Sequence, residues 1–209
     1  MKQKIDLTTW NRKEHFDFFS KFEEPFFGIT TQLACENAYH KAKSLGIPFS
    51  TYYLHKTLVA INENKAFRLR IEGDEVVEFS VINGSATVLR ADNTFGFSEI
   101  KYDLDLFVFN QNAIEEIDRV QQTTGLFTRE FSPNVIHFSA LPWISFTAIS
   151  HARSFTLPDS CPKISFGKMT IDSVGKRSIP FSIHVHHALV DGYDVGVFVN
   201  RLQELLDEN

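Results

Sequence analysis

The stretch Phe181-Ser182-Ile183-His184-Val185-His186-His187-Ala188-Leu189-Val190-Asp191-Gly192-Tyr193 decides how this chain folds. Ile179, Phe181, Ile183 and Val185 alternate with other residues, the period-two signature of a strand with one apolar face. Asp191-Gly192 marks a tight turn. Beyond it, Val195, Phe198, Val199, Leu202, Leu205 and Leu206 form one apolar stripe at helical spacing. If strand pairing persists to its end, His187 falls on the apolar face and His184 and His186 on the other. A histidine at a strand end, just before a turn, is placed to enter a cleft as a general base, since its unperturbed pKa lies near neutrality. Spacing alone leaves two other readings open. His184 and His186 form an HxH pair of the kind that begins some metal sites, although no Cys or Glu cluster accompanies it. All three imidazoles could equally be hydrogen-bonded residues at a sheet edge.

Working outward, Thr8–Phe22 reads as a helix with Trp10, Phe16, Phe19 and Phe22 at helical spacing. Another helix covers Cys35–Ser44 and stops at Gly46. A third, after Pro48, sets Leu54, Leu58 and Ile61 on one face. The period then changes. Phe67–Ile71, Val76–Ile82 and Ser85–Arg90 read as short strands, with Glu72-Gly73-Asp74 and Asn83-Gly84 as hairpin turns. Ile114–Thr124 is helical and ends at Gly125. Strands return at Asn134–Ala140, Lys163–Ile171 and Ser178–His187. Helices and strands do not alternate as βαβ units, so the expectation is an α+β fold, a mixed β-sheet layered with helices. No repeat or Pro/Gly/Ser-rich linker divides the chain, and residues 1–209 are expected to form a single domain.

Composition narrows the function. The chain has 209 residues, 21 Lys+Arg against 26 Asp+Glu, and a net charge of −5. That balance argues against nucleic acid as a partner, which calls for a basic face. With 43% hydrophobic and 22% charged residues, the chain has globular rather than disordered composition. Its 21 Phe point to a Phe-rich core, an apolar cavity or an extensive subunit interface. No apolar run approaches the roughly 18 residues that span a bilayer. Met1-Lys2-Gln3-Lys4-Ile5-Asp6 lacks the apolar region of a secretory signal. Cys35 and Cys161, far apart and outside any CxxC pattern, suggest neither a disulfide framework nor a thiolate zinc site. The expected address is cytoplasmic.

Several blocks together carry a family resemblance. His186-His187-Ala188-Leu189-Val190-Asp191-Gly192 resembles the HHAxxDG signature of the type A chloramphenicol acetyltransferases. Trp10-Asn11-Arg12-Lys13-Glu14-His15-Phe16 is similar to that family's W-x-R-K/R-E-H-F segment. Ser139-Ala140-Leu141-Pro142-Trp143-Ile144-Ser145-Phe146 is similar to its S-A/S-x-P-W-V-x-F segment, and Pro162–Lys168 to its P-x-x-T-x-G/A-K strand. The blocks stand in the family's order and span nearly the whole chain. HxxxDG alone would be weak, because 2-oxoacid dehydrogenase acyltransferases share it; the doubled histidine and the N-terminal block favour the chloramphenicol branch.

The resemblance implies a two-layer CoA-dependent acyltransferase fold, assembled as a homotrimer with each active site in a cleft between subunits. It implies acetyl-CoA as co-substrate and a small-molecule alcohol, chloramphenicol first, as acceptor, with antibiotic resistance the associated role. His187 would be the general base and Ser139 the donor to the oxyanion. Asp191 and Arg12 would form a structural ion pair, expected to be largely buried. Ser165 stands where the family has a threonine, and Trp143 and Lys168 match positions along the CoA channel. Phe18, Phe19 and Phe27 fall in the acceptor pocket, where Glu23 and Pro25 replace small residues. A carboxylate facing an apolar pocket costs several kcal/mol, so either Glu23 points to solvent or the acceptor differs. Met169 replaces a tyrosine beside the adenine. One His187 nitrogen must accept the hydroxyl proton, so the other is expected to be fixed by a hydrogen bond, with a backbone carbonyl as the expected partner. A metabolite acceptor, another xenobiotic or a non-catalytic trimeric binding protein are the alternatives; retention of both Ser139 and His187 argues against the last.

Overall fold

The computed structural model describes residues 1–156 and 159–208. In chain order its first elements are β1 (Lys2–Lys4), α1 (Lys13–Phe19), β2 (Phe26–Ala34), α2 (Glu36–Ser44) and α3 (Phe49–Glu63). A 3-10 turn at Lys65–Arg68 leads into β3 (Leu69–Glu72), β4 (Glu75–Phe79), β5 (Asn83–Leu89) and β6 (Phe95–Phe97). Then come α4 (Leu106–Gln121), β7 (Val135–Ala140), β8 (Lys163–Phe166), β9 (Thr170–Ile171), β10 (Arg177–His186) and α5 (Gly192–Asp207). The fold is α+β. A small antiparallel sheet runs β1-β4-β3, and the main sheet runs β2-β10-β8-β7-β5-β6 with β9 against β10. The main sheet is mixed: β5, β7 and β8 are parallel, whereas β10 is antiparallel to β2, β8 and β9.

Alternation gives the main sheet two unlike faces. On the first, Phe138, Ile164, Phe166, Phe181, Ile183 and Val185 are buried in one apolar cluster with Leu58, Phe198 and Leu202 of α3 and α5. Aromatic contacts knit the layers: Tyr53 of α3 lies 4.2 Å from Phe166, and Phe198 of α5 lies 6.1 Å from Phe181. Each buried phenyl ring contributes about 1.5–3 kcal/mol. The second face carries Ser85, Thr87, His137, Ser139, Lys163, Ser165, Ser182 and His184, because these residues share one register line across β5, β7, β8 and β10. The buried guanidinium of Arg70 donates to Phe67 O at 3.0 Å, Leu69 O at 2.6 Å and Val135 O at 2.5 Å, tying the small sheet to β7. Both cysteines are free and buried. Among the described residues, no helix is long and apolar enough to cross a membrane.

Some local expectations need correction. The helix expected over Thr8–Phe22 is shortened to Lys13–Phe19. At its start, the Asp6 carboxylate accepts from Thr8 N at 2.9 Å and Thr8 Oγ1 at 2.6 Å, holding the threonines in a turn. At its end, Pro25 turns the chain into β2, an edge strand of half-exposed residues without clear alternation. Asn83-Gly84 is no hairpin turn. It opens β5, whose parallel partner β7 lies some fifty residues on (135 − 83 = 52), beyond α4. The strand expected from Phe67 begins as the 3-10 turn. The helix expected from Ile114 starts at Leu106, because Asp105 Oδ1 caps it by accepting from Phe107 N at 2.8 Å. The strand expected over Lys163–Ile171 is split into β8 and β9 at Gly167-Lys168-Met169. A Cβ on Gly167 would sit 2.9 Å from Ile144 O, so the chain there packs backbone against backbone.

Candidate active site

Ser139 stands near the C-terminal end of β7, opposite Ser165 of β8, which in turn faces Ser182 of β10. The three hydroxyls lie side by side on the second face. Residues 141–162, the long connection after β7, lead back into β8, and residues from it fold over this face. His151 Nε2 lies 3.3 Å from Ser165 Oγ, and its ring meets that of His184 edge-on at 4.8 Å. Burial, with His184 and Lys163 beside it, pushes the His151 pKa down to about 4, leaving a neutral imidazole at pH 7. Lys163 donates to Asp159 Oδ2 at 2.5 Å and to Cys161 O at 3.1 Å. A Cβ on Gly28 would fall 2.3 Å from His184 Nε2, so the bare backbone of β2 makes room for that ring.

Ser139 borders two cavities. One, about 200 Å³ and mainly apolar, lies toward α3 and α4, between Ser50, Tyr53, Ala86, Ile117 and Phe166. The other, about 390 Å³, opens on the second face between Phe95, Phe97, His137, His151 and Lys163.

His187 is elsewhere. Its N–H donates to Pro25 O at 2.8 Å, so pairing with β2 continues one residue past β10 and preserves the parity read from the sequence. The imidazole stacks on Phe19 (3.9 Å between centroids, 13° between planes) and tilts against Phe27 at 4.7 Å. The expected hydrogen bond to a backbone carbonyl is not present: among the described residues, buried His187 Nδ1 has no partner. Aromatic stacking, rather than a hydrogen bond, holds the ring. His186 points the other way, edge-on to Phe26 at 5.3 Å, and its Nδ1 accepts from Ala188 N at 3.3 Å. Burial foremost, then the nearby Arg153, pushes its pKa down to about 4. No group of three or more His, Cys, Asp or Glu side chains is arranged to hold a metal among the described residues.

Arg12 Nη1 donates to Asp191 Oδ2 at 2.6 Å across 179 positions, and Nη2 reaches His187 O at 3.4 Å. The pair is less buried than expected: the side chains keep 17% and 32% of their exposure, respectively. The other Asp191 oxygen caps α5, accepting from Tyr193 N at 2.9 Å and Asp194 N at 3.3 Å. Burial alone would raise the Asp191 pKa; Arg12 and the backbone donors outweigh it and hold the carboxyl below its ordinary range.

Of the three phenylalanines assigned to an acceptor pocket, Phe19 and Phe27 flank His187, whereas Phe18 packs 5.0 Å from Phe19 and is exposed. Glu23 is exposed, so its carboxylate faces water. Trp143 is 69% exposed. The next residue, Ile144, accepts from Lys168 N at 2.8 Å, which joins the segment after β7 to the segment after β8. Met169 packs partly buried on the core. The motif reading missed His137, His151 and Lys163. Alternation does place His137 two residues before Ser139 and Lys163 two before Ser165, but His151 lies on an irregular loop and carries no periodic signal.

Residues 2–203 match a family model described as chloramphenicol acetyltransferase. A chloramphenicol acetyltransferase of Proteus mirabilis is 29% identical over 206 residues, covering 98% of this chain and 94% of the relative. A solved chloramphenicol acetyltransferase structure superposes with a TM-score of 0.91 at 30% identity, covering 99% of this chain and 100% of that one. A probable dihydrolipoamide acetyltransferase from Listeria monocytogenes shares the fold, with a TM-score of 0.69 at 12% identity over 98% of this chain and 94% of that one. The chain therefore belongs to the chloramphenicol acetyltransferase family of acetyl-CoA-dependent acyltransferases.

Proposed function

We propose that this protein is a cytoplasmic homotrimer that moves an acetyl group from acetyl-CoA to a hydroxyl of chloramphenicol or a similar small alcohol, at sites each shared by two subunits. The supporting observation is the separation of Ser139 from His187 within one chain. They belong to opposite faces of the sheet, and Ser139 is level with Ser182, five residues short of His187 along β10. At about 3.4 Å per residue that offset alone is roughly 17 Å, too far for both to touch one reacting carbonyl. A neighbouring copy supplies the missing half: His187 of one subunit meets Ser139 of the next. Exposed apolar groups at Phe95, Phe127, Ile144 and Phe155 are suited to line the contact.

In this arrangement His187 takes the hydroxyl proton as the alcohol oxygen attacks the thioester carbonyl. Ser139 donates to the resulting oxyanion, with Ser165 beside it. The C–S bond then breaks, and the proton held by His187 goes to the departing thiolate. The apolar cavity by Tyr53 and Phe166 suits the thioester arm, and Trp143 and Lys168, on the joined segments that follow β7 and β8, suit the nucleotide end of CoA.

The test is complementation. His187→Ala and Ser139→Ala are each expected to lose several orders of magnitude in thiol release from acetyl-CoA with chloramphenicol or another alcohol. Mixed trimers, made by co-expression, regain a fraction of the activity if one intact His187 meets one intact Ser139 across an interface. Mixtures as dead as the parents, or a monomer near 23.9 kDa in light scattering, overturn the shared site.

A further inference from the structure

We propose that His151 is a positioning residue of the acetyl transfer: its Nε2–H holds the Ser165 hydroxyl so that the hydroxyl hydrogen points at the oxyanion formed beside Ser139. The inference rests on the reading of Ser139 as the oxyanion donor of an acyltransferase acting on chloramphenicol, and it adds a residue to that site.

Ser165 is fully buried and stands beside Ser139, on the neighbouring parallel strand and on the same face. Adjacent strands lie about 4.8 Å apart, so an oxyanion held by Ser139 comes within reach of Ser165, directly or through one water. A serine hydroxyl rotates, and its single hydrogen is committed to the oxyanion only when another donor occupies its oxygen. Among the described residues, the neighbour placed to do this is His151, with Nε2 at 3.3 Å from Ser165 Oγ. An imidazole N–H donating to Ser165 Oγ turns the hydroxyl hydrogen away from the ring. It also polarises the hydroxyl, as consecutive hydrogen bonds do. His151 and Ser139 line the same cleft, so the relay ends where the reacting carbonyl must sit.

The surroundings fix the ring in place. It meets His184 edge-on at 4.8 Å, and His184 in turn lies against the bare backbone of Gly28. Two residues along the loop, Arg153 stacks its guanidinium on Phe26 at 3.5 Å and pairs with the Glu24 carboxylate. That clasp fastens the loop carrying His151 to the start of β2. The neighbouring charges keep the imidazole neutral: burial foremost, then His184, Lys163 and His137, push its pKa down to about 4. Burial alone would lower the His137 pKa as well, but Cys161 and Asp159 outweigh it and raise it. Positive charge on this wall is therefore favoured at His137 and Lys163 and disfavoured at His151. A neutral imidazole keeps one N–H to orient a hydroxyl, and with so low a pKa it is a poor base. It does not replace His187 as the acceptor of the hydroxyl proton.

The experiment is a double-mutant cycle on thiol release from acetyl-CoA with chloramphenicol. His151→Leu is expected to lower kcat about 3- to 10-fold, the worth of one neutral hydrogen bond, with KM for either substrate little changed. Ser165→Ala is expected to cost about as much. The double variant should be no slower than the worse single one, because both residues act through one contact. His151→Gln, whose amide places an N–H where Nε2 stands, should recover most of the rate. His151→Asn, equally polar but shorter, should not, and comparing this pair at matched Tm separates positioning from a folding defect. Additive losses in the cycle, or equal rates for the Gln and Asn variants, refute action through Ser165. A raised KM for chloramphenicol at unchanged kcat overturns the proposal in favour of direct contact with the acceptor. Loss of the acid limb of the kcat–pH profile in His151→Leu also overturns it, by making His151 itself a base. A wild type that releases no thiol with chloramphenicol or any other alcohol refutes the acyltransferase reading itself.

Discussion

Asp191 performs two separable jobs, and two substitutions at one position pull them apart. Oδ2 pairs with Arg12 at 2.6 Å, while Oδ1 caps α5 through Tyr193 N and Asp194 N. Asp191→Asn keeps a competent N-cap, because Asn and Asp cap about equally well, and removes the charge pair. Asp191→Ala removes both. A pair with 17% and 32% side-chain exposure lies between a surface bridge, worth at most about 1 kcal/mol, and a buried one, whose breaking costs about 3–5 kcal/mol. The neighbouring Asp194 carboxylate, 3.8 Å from the same Arg12 nitrogen, offsets part of the loss. A cost of about 2 kcal/mol follows for Asp191→Asn, or a fall in Tm of about 4–8 °C for a domain of this size. Asp191→Ala should lose roughly 1 kcal/mol more. Because Arg12 also reaches His187 O, both variants should lower kcat. The sign of the pH dependence follows from the depressed Asp191 carboxyl: the pair contributes fully above the ordinary carboxylate value of 3.8 and is lost as pH falls through the lower folded value. The stability gap between wild type and Asp191→Asn should therefore narrow below that pH. Scanning calorimetry decides the matter: equal melting of Asp191→Asn and wild type refutes the ion-pair argument, and equal melting of the two variants refutes the separate cap.

His186, with a folded pKa near 4 against 6.5 unfolded, binds its proton more readily when unfolded, so stability is full above 6.5 and declines as pH falls toward 4, by about 3 kcal/mol in all. Urea titrations at several pH values should show a shallower decline for His186→Asn, and parallel declines would count against it. Gly28→Ala puts a methyl against the His184 ring and should cost about 1–3 kcal/mol, although alanine is otherwise favoured in a strand; unchanged or raised Tm would contradict the close approach. His187→Ala should nearly abolish turnover while acetyl-CoA still binds by calorimetry, and His186→Ala should cost far less, since its ring faces Phe26 rather than the Phe19 and Phe27 cage. Equal losses in the two variants would refute the assignment by strand parity.

What the amino-acid order determined by itself is everything that repeats over a few residues. The apolar stripe of α5, the alternation of β10 and the parity of His187 were legible because burial on one face of a regular element imposes its period on the chain. The motif blocks likewise reveal the family, since the residue types in them are constrained locally. Only the tertiary structure decided how distant segments pair. Asn83-Gly84 looks like a hairpin turn until β7 arrives from beyond α4 to make it a strand, and β2 becomes one by pairing with β10 despite lacking clear alternation. Register then decided the chemistry. Ser139, Ser165 and Lys163 share a face with His151 because a long loop folds back over the sheet, and that same face is turned away from His187. Such placement depends on contacts among residues tens of positions apart, and non-local contacts leave no period in the chain that makes them.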